Sequence, residues 1–273
     1  MGSSKVRKAV VAGRFYPDDA QELKKQISSF IEPKIEKCNA QACVLPHAGY
    51  TYSGRVAIQT LAQINIKDKI VLLGPNHTGN GVPFSIMTQG SWVTPLGSVD
   101  IDTELAEAIL KGSKYLESDS AAHLDEHSLE VELPILQYFK NRFKIVPIAF
   151  MSDDLSVLKK IGQEIAQVIV ARKIQDDVLL AASSDMTHYE SQQDAEAKDK
   201  LAIEAILELN PDKLFKAVKE HNITMCGYAP VIVMLSAVNF LGAKISSLVK
   251  YQTSGDVTGD RASVVGYAGI IVK

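Results

Sequence analysis

The sequence predicts one α/β domain over residues 1–273, a sandwich of helices around a mostly parallel central sheet. Short apolar runs of strand length, at 42–45, 69–73, 144–150 and 178–182, alternate with longer stretches of helical periodicity. Those runs are nearly unbroken by polar residues, the pattern of strands buried on both faces. A chain of 273 residues, 46% hydrophobic and 22% charged, is long enough for one large core and short for two.

Each element has a local reason. The opening, 5–17, reads as an extended segment and a turn. Asp18 or Asp19 then caps a helix to about Ile31, apolar at Leu23, Ile27 and Phe30, and Pro33 ends it. After the strand at 42–45 a helix runs over 53–64. The stretch 79–102, rich in Gly, Pro and Thr, holds one or two short strands, 84–87 the clearest. Thr103 caps a helix through Leu110, with Glu104 and Glu107 early in it, where the helix dipole favours acids. Residues 113–126 are polar and irregular. Leu129, Leu133, Leu136 and Phe139 then recur at helical spacing, limited by Pro134.

Asp153 or Asp154 caps a long helix to Ala171, and two helices, 194–209 and 211–220, follow the strand at 178–182. The second starts on Pro211, a first-turn proline. A further apolar helix opens near Cys226 and stops at Gly242. Strands at 244–251 and 263–273 close the chain around a polar, hairpin-like loop, and they can pair antiparallel at an edge.

Composition excludes several roles. With a formal net charge of −3 and dispersed Lys and Arg, the chain has no nucleic-acid or anionic-lipid footprint. Three cysteines, Cys38, Cys43 and Cys226, at unpatterned spacing argue against a disulfide framework and for a reducing cytoplasm. No signal-peptide stretch is visible. The apolar run 229–241 is too short to span a bilayer and contains Ser236 and Asn239. Met1-Gly2-Ser3-Ser4 suggests myristoylation, but Val6 stands where Ser or Thr is required. The glycine-rich stretches form no dinucleotide fingerprint or Walker sequence, so no nucleotide cofactor is expected.

Three apolar runs lead to histidines: His47, His77 and His188. Ligands of open α/β sheets gather beyond the carboxyl ends of strands. Two imidazoles placed there suit Zn, Fe, Cu or Ni; the plainer alternative is loop histidines in ordinary hydrogen bonds. Cys226 lies at a loop-to-helix junction, where the helix dipole favours the metal-binding thiolate, though free cysteine is more often a small buried hydrophobe. His188 follows Asp185 by three residues, a spacing that suits a base oriented by a carboxylate and equally a helix cap. His123-Leu124-Asp125-Glu126-His127 matches the inverted zinc-peptidase pattern, which needs both histidines on one helical face.

Ala12-Gly13-Arg14-Phe15-Tyr16-Pro17, Pro46-His47-Ala48-Gly49-Tyr50, Gly74-Pro75-Asn76-His77, Asp125-Glu126-His127-Ser128-Leu129-Glu130, Ser184-Asp185-Met186-Thr187-His188 and Cys226-Gly227-Tyr228 resemble the signature blocks of the Memo family. Trp92-Val93-Thr94-Pro95-Leu96-Gly97 and Ser254-Gly255-Asp256-Val257-Thr258-Gly259-Asp260 extend the match over nearly the whole chain. The family is similar in fold to class III extradiol ring-cleaving dioxygenases, which hold Fe(II) with two histidines and a carboxylate. The resemblance implies His47 and His77 as ligands, Cys226 where those enzymes place the carboxylate, and His188 as the pocket base, with Asp185 beside it. His127 and Tyr50 are placed in the pocket lining.

The expectation is a single metal ion per chain, Fe(II) or Cu before Zn, in a dioxygenase-like pocket doing redox chemistry on a small molecule. A thiolate in place of the carboxylate makes softer metals as suitable as iron, so ring cleavage itself is not carried over with the fold. Its rivals are a non-catalytic binding or signalling module that keeps the cleft, and a zinc peptidase on His123, Glu126 and His127. In prokaryotes the family often accompanies radical-SAM and AMMECR-type proteins, which implies a shared pathway.

Overall fold

A computed structural model describes residues 6–33 and 35–273; the Met1–Ser4 reading lies outside them. The chain begins with β1 (Val6–Arg7) and α1 (Ala20–Ser29), whose cap is Asp19, accepting from the N–H groups of Gln21 and Glu22 at 2.8 and 2.9 Å. β2 (Ala42–Leu45) is buried throughout. A single π-helical turn, Tyr50–Gly54, leads into α2 (Arg55–Ala62), and β3 (Lys69–Pro75) follows.

The Gly- and Pro-rich region resolves into β4 (Phe84–Ile86) and a hairpin of β5 (Ser91–Thr94) and β6 (Gly97–Asp100). Gly97, at φ +120°, supplies the turn conformation that other residues resist. β1 joins β5 in parallel, so these three strands make a small separate sheet.

α3 (Thr103–Gly112) is capped by Asp102 rather than Thr103: the Asp102 carboxylate accepts the Leu105 N–H at 3.1 Å, and Thr103 is already inside the first turn. β7 (Glu117–Ser118), α4 (Ala121–Leu124) and α5 (Glu132–Phe139) follow, with Pro134 tolerated in the first turn of α5, where its missing N–H has no helical partner. Then come β8 (Lys144–Phe150), α6 (Leu155–Ala171), β9 (Val178–Ser183), β10 (His188–Glu190), α7 (Gln192–Leu207), α8 (Pro211–Glu220) and α9 (Tyr228–Leu241). β11 (Ser246–Thr253) and β12 (Val264–Val272) are the expected antiparallel pair, but the loop between them holds a helical turn, α10 (Gly255–Thr258).

The main sheet has the order β10-β12-β2-β9-β3-β8-β4-β7, with β11 beside β12. Its centre, β2-β9-β3-β8, is parallel, and β12 and β4 flank that centre antiparallel. α9 lies across the parallel strands, with α6 and α8 against it, while α2 packs on β2, β11 and β12. Residues Ala229 to Val238 of α9 are buried in every direction, which explains an apolar run with no polar face. Each fully buried aliphatic side chain there contributes roughly 1.5–3 kcal/mol. α6 comes close because position 162 is glycine: a Cβ there would sit 2.3 Å from the Val233 carbonyl oxygen. No helix among the described residues is long and apolar enough to cross a membrane.

One topological fact builds the site. β9, late in the chain, inserts between β2 and β3, with Leu45 opposite Ser183 and Leu73 opposite Ala182. The segments leaving β2, β9 and β3 therefore emerge side by side at the carboxyl ends of these central strands.

Candidate metal centre

His47 leaves β2 two residues past its end, and its side chain is buried. Its main-chain N–H donates to Asp185 Oδ1 at 2.8 Å, and its Nδ1 lies 2.8 Å from Ser183 Oγ, so the last residue of β9 and one just beyond it fix both ring and backbone. Burial, together with neighbouring His77 and His127, holds its pKa well below the ordinary value, leaving a neutral imidazole.

His77 leaves β3 in the same way and meets the buried Glu126. One carboxylate oxygen stands 2.9 Å from His77 Nδ1, and the other accepts the His77 main-chain N–H. Glu126 also accepts from the N–H groups of His127 and Ser128, at 2.9 and 2.8 Å. Burial acts to raise the pKa of Glu126, but His77 and these N–H donors outweigh it and bring it down to about 2. Reciprocally, burial disfavours protonated His77, yet Glu126 raises its pKa.

Cys226 precedes α9 and closes on β9. Its sulfur lies 3.3 Å from His47 Nε2 and accepts the Asp185 N–H at 3.3 Å. This approach depends on Gly227, where a Cβ would stand 2.2 Å from the Ser183 carbonyl oxygen. The helix start does not lower the thiol pKa as the sequence leads one to expect. Burial, aided by the charge of Asp185, raises it, because desolvation of a thiolate outweighs a partial dipole charge. A cation bound at the sulfur would reverse that balance.

His47, His77 and Cys226 each offer one ligand atom, all within 4.8 Å of one another. Metal–ligand distances of about 2.0–2.3 Å demand a spread of this order. With Nδ1 of His47 engaged by Ser183 and Nδ1 of His77 by Glu126, each ring has Nε2 as its other nitrogen, that of His47 facing the Cys226 sulfur, the usual arrangement of a ligating histidine held by an outer partner. The donor set thus fits a metal ion. A second group, His77, Glu126 and His127, is equally close-set, and the ring of His127 stacks on His77 at 4.8 Å.

His47, His77, Cys226 and His127 line the floor of a cavity of about 600 Å³, with Glu126 behind them. His188 reaches it from β10. Its Nδ1 is 2.9 Å from the Thr224 carbonyl oxygen and its N–H donates to Thr224 Oγ1 at 2.7 Å. A carbonyl only accepts, so Nδ1 carries a proton, and in the neutral ring Nε2 is the basic nitrogen. The orienting group is therefore Thr224, not Asp185. Asp185 also lines the cavity, but its side chain accepts from the main chain at His47 and Ala48; burial, offset by His188 and these N–H bonds, raises its pKa to about 6.

Two further expectations are corrected. Tyr50 does not line the cavity: it is buried and donates its hydroxyl to the Val131 carbonyl at 2.7 Å. Its neighbour two residues on, Tyr52, faces the cavity instead, because the π-helical turn rotates the chain between them. Among the described residues His123 joins no ligand group, and the peptidase reading loses its geometry. α4 ends at Leu124, so no helix carries His123 and His127 on one face. His123 is buried with Nε2 3.0 Å from Ser85 Oγ, edge-on to Trp92.

Sequence reasoning passed over Arg14, Phe15, Tyr189 and Tyr267, all on the cavity wall. Arg14 and Phe15 stand in the first of the quoted blocks and Tyr189 adjoins His188, so adjacency was the available signal. It also passed over the buried support beneath the site. Arg7 pairs with Glu130 and donates to the carbonyls of His123, at 2.9 Å, and of Glu126. Glu130 in turn accepts the Tyr16 hydroxyl at 2.5 Å.

The family model described as Memo-like protein matches residues 7–271. A MEMO1 family protein of Aquifex aeolicus is 44% identical over 270 residues, covering 98% of this chain and 99% of that one. A MEMO1 family protein of Methanopyrus kandleri is 41% identical over 281 residues, with 98% and 99% covered. A crystal structure of an uncharacterized protein from Escherichia coli K12 superposes with a TM-score of 0.49 at 15% identity, covering 85% of this chain and 100% of that one. With a family model and relatives that both run almost end to end, the chain belongs to the Memo family.

Proposed function

We propose that this protein is a metal-dependent enzyme acting on a small molecule, with one redox-active ion held by His47, His77 and Cys226. The observation that carries this reading is the convergence of those three donors, from three separate parts of the chain, on a cavity that His188 also lines. The ion would supply Lewis acidity and, if Fe or Cu, one-electron chemistry. The thiolate's softness suits Cu(I) as well as Fe(II), while Zn, which has no redox chemistry, would supply Lewis acidity alone.

The chain's own residues divide the remaining work. His188 Nε2 takes a proton from substrate, and the Thr224 carbonyl stabilises the imidazolium so formed. Phe15 and Tyr267 wall the cavity with apolar surface, and Arg14, which pairs with no acid among the described residues, favours a substrate with an anionic group.

Protein purified anaerobically without added metal is expected to carry close to one ion per chain by elemental analysis. The double variant His47→Ala with Cys226→Ser is expected to carry none; full retention overturns the assignment. His127→Ala separates the two donor groups, since it should leave the metal in place if His47, His77 and Cys226 hold it. Oxygen uptake by the Fe(II)- and Cu(I)-loaded protein over a panel of catechols tests turnover. Inactivity with every metal and substrate favours the binding-module reading instead.

A further inference from the structure

We infer that Ser183 is a positioning residue that determines which nitrogen His47 presents to the metal, and that Glu132 holds Ser183 in that role as an un-ionised acid. The inference rests on His47 being a ligand, and it comes from counting protons at one oxygen.

Ser183 ends β9 and Glu132 begins α5; both are buried. Ser183 Oγ has three partners at hydrogen-bond distance: the Ser128 carbonyl oxygen at 2.8 Å, Glu132 Oε1 at 2.9 Å and His47 Nδ1 at 2.8 Å. A hydroxyl has one proton and two lone pairs. The carbonyl can only accept, so it takes the hydroxyl proton. The other two partners must then donate, His47 through Nδ1–H and Glu132 through a carboxyl O–H.

Every other assignment leaves a contact unmade. If the hydroxyl donated to His47 Nδ1, the Ser128 carbonyl would face a lone pair. If Glu132 were a carboxylate, it and that carbonyl would compete for a single proton.

The surroundings of Glu132 agree. Its second oxygen, Oε2, has no hydrogen-bond partner among the described residues. Such isolation is severe for a carboxylate and far milder for the carbonyl oxygen of a neutral acid. The titratable groups that act on it or feel it, Asp185, Cys43 and Tyr50, are all acids, with no cation among the causes that act on it within the described residues. Burial accordingly raises its pKa well above the carboxylate range.

The consequence lies at the metal. With the proton fixed on Nδ1, His47 Nε2 is a bare lone pair 3.3 Å from the Cys226 sulfur, ready to ligate without first losing a proton. The opposite tautomer would point N–H at the ion.

Two measurements on metal-free protein test this without any metal reading. Nitrogen-15 NMR of the histidine rings should show the His47 proton on Nδ1. Infrared spectroscopy should show a protonated carboxyl band that disappears in Glu132→Gln. Zinc affinity, by competition with a chromophoric chelator, adds the functional arm. Ser183→Ala should weaken binding about 10–100-fold, the usual effect of losing an outer partner of a ligating histidine. Glu132→Gln, whose amide N–H can donate to the same lone pair, should bind as wild type does.

A proton on His47 Nε2 in the wild type, or no carboxyl band lost in Glu132→Gln, overturns the proposal, as does a Ser183→Ala variant with unchanged zinc affinity. Wild-type protein that binds no zinc yet shows both spectroscopic signatures refutes the metal reading alone and supports the proton arrangement.

Discussion

Glu126→Gln is the substitution whose effect is most fully determined by the structure. The carboxylate is buried and accepts from both the ring and the main chain of His77 and from the N–H groups of His127 and Ser128. Its pKa falls from an ordinary 4.5 to about 2 despite burial. At about 1.36 kcal/mol per pKa step, that fall is worth roughly 3 kcal/mol, shared with His77 and counted once.

The sign follows from linkage. A carboxylate with a depressed folded pKa stabilises fully above its unfolded pKa, and that stability disappears as pH falls from about 4.5 through about 2. The variant lacks the charge at every pH, and its amide nitrogen faces donors. Metal-free Glu126→Gln should therefore lose about 3 kcal/mol in urea unfolding at pH 7, roughly 6–12 °C in Tm for a chain of this size. The gap to wild type should narrow steadily between pH 4.5 and the acid limit of the folded state. A difference under about 1 kcal/mol at pH 7, or one that stays constant as pH drops to 3, refutes the reasoning.

Other outcomes follow from the same geometry. Arg7→Met strands a buried Glu130 without its counter-charge and should cost about 3–5 kcal/mol, much of it recovered in the Arg7→Met, Glu130→Gln double variant; equal losses in both would show that packing on Trp92, not charge, is at stake. Gly162→Ala forces α6 off α9 and should destabilise by about 1–3 kcal/mol by calorimetry, without changing metal content. Gly227→Ala, pressing on the Ser183 carbonyl, should instead weaken zinc binding by displacing Cys226, read by chelator competition. In an active preparation, His188→Ala should lower turnover about 10²–10⁴-fold while leaving the bound metal unchanged; metal loss would show that His188 supports the ligands.

The opening expectations divide along a physical line. Strand and helix positions were legible because burial imposes periodicity: the unbroken apolar runs at β2, β3, β8 and β9 are the parallel centre, and the featureless apolar α9 is the helix enclosed by them and by α6 and α8. His47, His77 and Cys226 were legible too, since chemistry-bearing residues at strand ends and helix starts stand out against apolar runs. What the sequence could not contain was the insertion of β9 between β2 and β3, which decides that Ser183 and Asp185 support His47.

Hydrogen bonds between residues far apart in sequence leave no periodic trace. For this reason Thr224 rather than Asp185 orients His188, Glu126 anchors His77 across 49 positions, and a single π-helical turn exchanges Tyr50 for Tyr52 at the cavity wall. The sequence by itself determined the layers, the family and the candidate donor residues. Only the tertiary structure decided which proton sits where among them, because that depends on partners the chain brings together only when folded.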